Sequence, residues 1–364
     1  MAADRDLQPG PGALPAAPRP AAVRARLDRV CIVMMSAVGD AVHVLPVINA
    51  LKRHHPSSHV TWVLQPGPAT LVRGHPNVDD IVLFERAKGT RAFAEIRRAL
   101  RRREFDVVIN LQVYFKAGLI TSFTRAPVKL GFDRARARDM NWLFTNAKIP
   151  PHPGQHVQDQ YFEFLDALGV PHGEPEWLLG PWEHERAWQR EFFSKLADPA
   201  VAIVVATSKA QKDWLPERWA EVVDRLHEEH GLRAVLVGGR SERELHAEQV
   251  IMARAKHTPV SALGSGLRKL VSILDGSALV LSPDTGPLHM SVALDRPVVS
   301  LIGYSNPKRV GPWRKFRDLM IDVYGEPGEN YPISMENRLD RLGRISVEDV
   351  MDRVRVWEER YRER

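Results

Sequence analysis

This sequence alternates. Short runs rich in Val, Ile and Leu are followed by segments with apolar residues at helical spacing, and the series occurs twice. In the first half the predicted strands are Arg29–Met35, His59–Leu64, Asp80–Phe84 and Asp106–Leu111. Predicted helices at 41–54, 90–103 and 115–124 lie between or after them. In the second half the strands are Val201–Ala206, Arg233–Val237, Ala278–Leu281 and Pro297–Ile302, separated by helices near 216–229, 241–254, 267–275 and 286–294. Alternation at this pitch specifies βαβ units and a parallel sheet. Two such series predict two doubly wound α/β domains facing each other across a cleft. A stretch rich in Pro and Trp, "GVPHGEPEWLLGPWEHERAW" (Gly169–Trp188), reads as the connection. The expected divisions are a tail at 1–26, one domain at 27–175, a second at 176–340, and a terminal helix at 341–364 able to pack back on the first domain.

A length of 364 residues suits two domains of this kind. No apolar run approaches the roughly 20 residues of a membrane span. Residues 1–26 contain "LQPGPGALPAAPRPAAVRAR" and lack the apolar core of a signal peptide, so a disordered tail is expected. Cys31 is the single cysteine, which excludes intrachain disulfides and cysteine metal clusters and fits a reducing cytoplasm. The net charge is +6. Its excess is concentrated between Arg86 and Arg138, including "RRALRRRE". This pattern implies either an anionic partner or a solvated basic helix face. Few aromatic residues interleave with the basic ones, which disfavours nucleic acid.

In open parallel sheets, ligands bind at the carboxyl ends of the strands, so the residues that follow each strand matter most. After the first strand comes Ser36-Ala37-Val38-Gly39-Asp40, then a helix with Pro46 inside it. Pro46 removes a hydrogen bond there and is expected to kink the helix. Asp40 sits at the helix N-terminus, where a carboxylate is also an ordinary cap. The turn lacks G-x-G-x-x-G, which argues against a dinucleotide. In the second half, Asp284-Thr285-Gly286 opens a helix with His289 one turn in. A hydroxyl, free backbone N–H groups and a helix N-terminus form an anion site, and a diphosphate fits it. An Asp-capped helix with a turn glycine is the plainer alternative.

Three further loops follow strand ends. "GYSNPKRVGPW" (Gly303–Trp313) is dense in Gly and Pro and makes a shaped loop. Lys209 and Lys212 precede a helix begun by Pro216 and could neutralise a phosphate. Gly238-Gly239 ends a strand just before Glu242, a carboxylate able to accept from ribose hydroxyls. The only Asp-x-Asp is Asp4-Arg5-Asp6, in the tail, and neither a G-x-x-x-x-G-K-[ST] loop nor an H-E-x-x-H pair occurs. No metal site is therefore predicted.

Taken in order, "SAVGDAVHVLPVINALKRHHPSSHVTWVL", "KDWLPERW", "GGRSE", "SPDTGPLHMSVALDRPVVSLIG" and "NPKRVGP" resemble glycosyltransferase family 9, the ADP-heptose:lipopolysaccharide heptosyltransferases, over roughly residues 29–358. The resemblance implies the GT-B architecture of two facing Rossmann-like domains. It implies Asp40 as general base, and Asp284, Thr285, Gly286 and His289 as holders of the donor diphosphate. Lys212 becomes a phosphate ligand and Glu242 a ribose ligand. The K-D-W-L-P-E run is one residue longer than the usual K-x-W-P-E, which leaves Lys209 as a substitute for Lys212. Basic residues of the first domain would take an acidic inner-core acceptor, with Lys116, Arg125, Arg134, Arg136 and Arg138 as candidates. The implied reaction is an inverting, metal-independent transfer with no cofactor, at the cytoplasmic face of the inner membrane. The alternatives are a related transferase using another nucleotide-sugar, and a non-catalytic glycan-binding protein on the same scaffold.

Overall fold

The computed structural model describes residues 23–362. The tail expected at 1–26 lies outside the described residues as far as residue 22. From there Val23 donates its amide to the Ala167 carbonyl (2.6 Å), and Arg26 pairs with Asp28 (2.6 Å).

The first sheet is built from β1 (Arg29–Val33), β2 (His59–Leu64), β3 (Asp80–Leu83), β4 (Val107–Asn110), β5 (Val128–Gly131) and β6 (Ala147–Lys148). Its helices are α1 (Val38–His54), α2 (Pro66–Val72), α3 (Thr90–Arg101), α4 (Phe115–Ser122) and α5 (Val157–Ala167). The second half contributes α6 (Glu183–Phe193), β7 (Ala200–Val204), α7 (Pro216–His230), β8 (Arg233–Val237), α8 (Glu242–Arg254), β9 (Val260–Ser261), α9 (Leu267–Gly276), β10 (Leu279–Pro283), α10 (Gly286–Ala293), β11 (Val298–Ile302), α11 (Pro307–Val310), β12 (Met320–Asp322) and α12 (Val347–Tyr361). Both sheets are parallel and six-stranded, ordered β3-β2-β1-β4-β5-β6 and β12-β11-β10-β7-β8-β9. In each, the order reverses beside the first strand of the series, so both crevices open at the carboxyl ends of the strands. Central strands such as Val30–Val33 and Val201–Val204 are buried on both faces, which is why they read as unbroken apolar runs.

The central strands and the helices expected from periodicity lie within a few residues of their expected positions, while α2, α5 and α6 have no counterpart among the expected elements. The outlying strands β5, β6, β9 and β12 do not announce themselves. They are short, half-buried and carry polar residues such as Lys129 and Ser261. Helix α1 continues through Pro46. Near the proline, the Gln158 amide of α5 donates to the His43 carbonyl (3.0 Å).

Two expectations about domain organisation are corrected. Helix α12 packs on the second sheet, not back on the first domain. Its stripe of Val347, Val350, Met351, Val354 and Trp357 is buried, with its main neighbours α7, β11 and β12. An ion pair from Arg225 to Glu348 (2.8 Å) and a hydrogen bond between His230 and Glu358 (2.8 Å) border that contact. The return to the first domain is made instead by Trp313, whose indole donates to Asp159 (3.1 Å) and rests edge-on against Phe162 and Trp177.

The connection is also shorter than its composition suggests, because α6 begins inside it. Residues 172–177 hug the first domain, where His75 bonds the Trp177 carbonyl (3.0 Å) and Asn49 the Glu176 carbonyl (2.6 Å). Helix α6 belongs to the second domain through Arg186–Asp275 (2.6 Å). Buried Trp177 and Leu179 hold the earlier part down.

Candidate active site

Helices α1 and α10 approach each other nose to nose across the cleft. A Cβ at Gly39 would lie 2.7 Å from His289 Cδ2, and one at Gly286 only 3.1 Å from Val38 Cγ1. The glycines at these two helix entrances are therefore required by the contact between the domains. Both N-termini, with their partial positive charge, point into the same space.

Two cavities meet there. One, of about 340 Å³, belongs to the second domain. Val204, Ala206, Ala262, Leu267, Leu270 and Ile273 supply its apolar wall, beside Gly238, Gly239, Gly264 and Gly266. An apolar slot with closely approaching backbone suits a flat base and its ribose. The other, of about 460 Å³, spans both domains and contains Asp40, His43, Tyr114, Arg138, Lys209, Lys212, Asp284, Thr285, His289 and Arg309. Val38, Ser208, Thr285 and Gly286 line both, so one extended ligand can occupy the pair.

On the second domain, Lys212 reaches from the end of a short turn after β7 and bonds the Asp284 carboxylate (2.5 Å). Lys209 lies 5.3 Å above the Tyr304 ring and lines the same cavity. Thr285 is the N-cap of α10, yet its hydroxyl makes no capping bond and stays available. Thr285, the Gly286 backbone and the Lys212 ammonium thus form an anion cradle.

On the first domain, Asp40 is the third residue of α1. It accepts from the Ala37 amide (2.7 Å) and from the Tyr161 hydroxyl of α5 (3.4 Å). Gln112 fixes the preceding turn by accepting from Met35 N (3.1 Å) and donating to the Ser36 carbonyl (2.9 Å). Burial pushes the Asp40 carboxyl above the usual carboxylate range. The Ala37 amide, Arg309, Tyr161 and Lys212 oppose that rise. A carboxylate desolvated in this way is a stronger base than a free one.

Three histidines floor the domain contact. His43 stacks at a tilt 4.4 Å from His289 and edge-on 5.7 Å from His156. His43 Nδ1 is bonded to Gln158 Oε1 (2.9 Å), while its Nε2 has no partner among the described residues. His156 Nε2 bonds the Gly311 carbonyl of the opposite domain (2.9 Å). Burial lowers all three, His43 to about 3, His156 to about 4, and His289 well below its ordinary value. Each ring is neutral at physiological pH.

Glu242 is displaced from its expected role. Ser241 is the N-cap of α8, so Glu242 is its first residue and is exposed. Glu244, three residues after the cap, folds back to accept from Gly239 N (2.6 Å) and Ser241 N (2.8 Å). It is Glu244 that lines the nucleotide-sized cavity.

The basic candidates separate as well. Arg138 lines the central cavity. Arg136 is committed to Asp133 (2.5 Å), Glu163 (2.7 Å) and the Pro150 carbonyl, so its charge is satisfied within the domain. Arg134 lies over Trp142 (4.6 Å), and Lys116 is exposed on α4. Arg125 is at the wrong end of the sheet, beside Arg29, His59 and Glu104 at the amino edges of the strands. Tyr161, Gln112 and Arg309 join the site although no sequence motif singles them out for it. Arg309 lies inside the "NPKRVGP" loop, where Gly and Pro density points to a shaped turn and not to a particular side chain. Tyr161 sits on α5, whose apolar spacing from Val157 to Leu165 is the one signal the sequence offers for it. Among the described residues, no group of three or more His, Cys, Asp or Glu side chains is arranged to hold a metal ion.

The family pattern described as glycosyltransferase family 9 (heptosyltransferase) matches residues 93–326. The chain belongs to glycosyltransferase family 9. Its relatives in that family include the lipopolysaccharide core heptosyltransferase OpsX of Haemophilus influenzae, 29% identical over 328 residues, covering 90% of this chain and 93% of that one. Among solved structures, a family 9 glycosyl transferase from Veillonella parvula superposes with a TM-score of 0.79 at 22% identity, covering 92% of this chain and 98% of the other. E. coli heptosyltransferase WaaC with ADP-2-deoxy-2-fluoro heptose gives 0.69 at 24%, covering 90% and 99%. These superpositions establish the GT-B fold. Family 9 membership makes the chain a glycosyltransferase, with a nucleotide-sugar as substrate.

Proposed function

We propose that this enzyme transfers a heptose from ADP-heptose to the acidic inner core of lipopolysaccharide, with inversion and without a metal. The reading rests on one arrangement. The Asp40 carboxylate on the first domain and the Lys212–Thr285–Gly286 cradle on the second line a single cavity. The first domain then presents the acceptor and the second holds the donor.

In this mechanism the base and ribose occupy the apolar slot, and the diphosphate lies over Thr285 and the two helix entrances. Asp40 takes the proton of the acceptor hydroxyl as that oxygen attacks the anomeric carbon from the face opposite the diphosphate. The C–O bond to the diphosphate breaks with its electron pair on the leaving oxygen. Lys212, Thr285 and the convergent N–H groups meet that charge. His289, neutral and facing the cavity, is placed to hydrogen-bond the sugar or a phosphate oxygen.

No helix among the described residues is long and apolar enough to cross a membrane. Peripheral association with the cytoplasmic face of the inner membrane accords with an exposed rim beside the cavity. Tyr114, Phe115, Met140 and Leu143 are exposed there together with Lys116, Arg134 and Arg138. The deciding experiment offers the purified protein a panel of nucleotide-sugars with a lipopolysaccharide-core acceptor. ADP-heptose should be consumed, giving ADP and one glycosidic product. Preference for a UDP- or GDP-sugar, or binding without turnover, would replace this assignment.

A further inference from the structure

Among the described residues, Arg309 is the one charged residue of the second domain that lines the cavities beyond the donor side. It lines the central cavity, a second of about 220 Å³ that also contains Asp40, and a third of about 190 Å³ beside them, both smaller ones lined largely by the first domain. The smaller of these is also lined by Arg138, Gln160 and His152. Neither the Arg309 nor the Arg138 side chain makes a hydrogen bond or ion pair with any described residue. Three other arginines near the cleft are already paired: Arg136 with Asp133 and Glu163, Arg243 with Asp213 (2.7 Å), Arg268 with Glu185 (2.6 Å).

The turn carrying Arg309 is rigidly held. The Asn306 side chain accepts from Lys308 N (3.1 Å) and donates to the Pro332 carbonyl (2.7 Å). Gly311 closes the turn on Pro307, where a Cβ would lie 2.5 Å from the Pro307 carbonyl oxygen. His156 of the opposite domain then bonds the Gly311 carbonyl. An unpaired guanidinium carried on a fixed turn, lining the same cavities as a second unpaired one, is a receptor for a carboxylate or phosphate. The donor diphosphate already has its cradle at Thr285 and Lys212.

We propose that Arg309, from the donor domain, and Arg138, from the acceptor domain, together hold the acidic group of the acceptor sugar, and so orient its hydroxyl at Asp40. This rests on the glycosyltransferase reading above. Because the two arginines belong to different domains, the acid also ties the domains together at the moment the acceptor is seated. Arg309 is thus a positioning and specificity residue, and it selects acidic acceptors over neutral ones.

The test compares an acceptor glycan bearing its carboxylate with the same glycan as the carboxamide. Calorimetry with ADP present gives acceptor affinity, and a separate assay gives turnover. Wild type should bind the carboxamide about 10- to 100-fold more weakly, the range expected for a charge-assisted pair. R309Q should bind both acceptors alike, within about 3-fold, with the loss in turnover appearing mainly in acceptor KM; R138Q should behave in the same direction. ADP affinity of R309Q should match wild type. The inference is overturned if wild type does not discriminate the two glycans, if R309Q still discriminates them, or if R309Q weakens ADP binding by the same factor. The wild-type comparison does not depend on any variant folding. Discrimination in binding with no turnover on any nucleotide-sugar would keep the acid site and reject the transferase reading.

Discussion

Lowering the pH should destabilise this protein well before its surface carboxylates titrate, and the buried histidines set the size of the effect. His43 and His156 are held neutral by burial, to about 3 and about 4, while in the unfolded chain they titrate normally. Their folded pKa values are depressed, so the unfolded state binds more protons between these values and about 6.5, and stability falls as the pH drops through that window. At pH 5 each contributes a loss of about 2 kcal/mol relative to pH 8, hence about 4 kcal/mol for the pair. That is a large share of a typical stability of about 5–15 kcal/mol. His289, lowered in the same sense, adds to it. The groups facing these rings are few: Gln158, Asp159, Arg309 and Arg317, with Lys212 near His289. Asp40 works in the opposite direction, because its raised folded pKa favours proton uptake by the native state. Glu326 and Glu329, held at about 2 by Arg344 and Arg341 and by Arg338, lose their contribution only as the pH falls below the ordinary carboxylate range. Urea unfolding midpoints between pH 8 and 5 should therefore drop steeply for wild type and less steeply for the H43Q/H156Q double variant. The pH slope is the readout, since the variant's stability at pH 8 is itself lower. An identical slope in the double variant would mean that the two histidines do not carry the effect.

Asp40→Asn should lower kcat about 10²- to 10⁴-fold while calorimetric ADP affinity is retained. Lys212→Ala and Thr285→Ala should each weaken ADP as well as turnover, by about 10-fold or more for the lysine; unchanged affinity would relocate the diphosphate. Gly39→Ala places a methyl 2.7 Å from His289 Cδ2, so the helix entrances must part. It should cost about 1–3 kcal/mol in stability and reduce kcat/KM, and full activity would mean the close approach is dispensable.

Buried central strands and amphipathic helices carry their periodicity in the chain. The double βαβ series, the strand-end loops and the positions of Asp40 and Thr285 are therefore legible in the amino-acid sequence alone. Strands β5, β6, β9 and β12 are not, because half-exposed segments of two to four residues have no apolar run to read. Glu242 and Glu244 differ only by which residue caps α8, and that is set by backbone geometry at Ser241. The basic cluster between Arg86 and Arg138 specifies a charge excess but not a site. Arg125 and Arg138 lie 13 positions apart in sequence and at opposite ends of one sheet. Local pattern is enough for the two domains, for the residues at their strand ends and for the resemblance to family 9. It is not enough to say which charges are neutralised by neighbours and which remain for a ligand. Ion pairs such as Arg136–Glu163 and the unpaired state of Arg309 arise from contacts between segments distant in the chain, and only the folded arrangement brings those segments together.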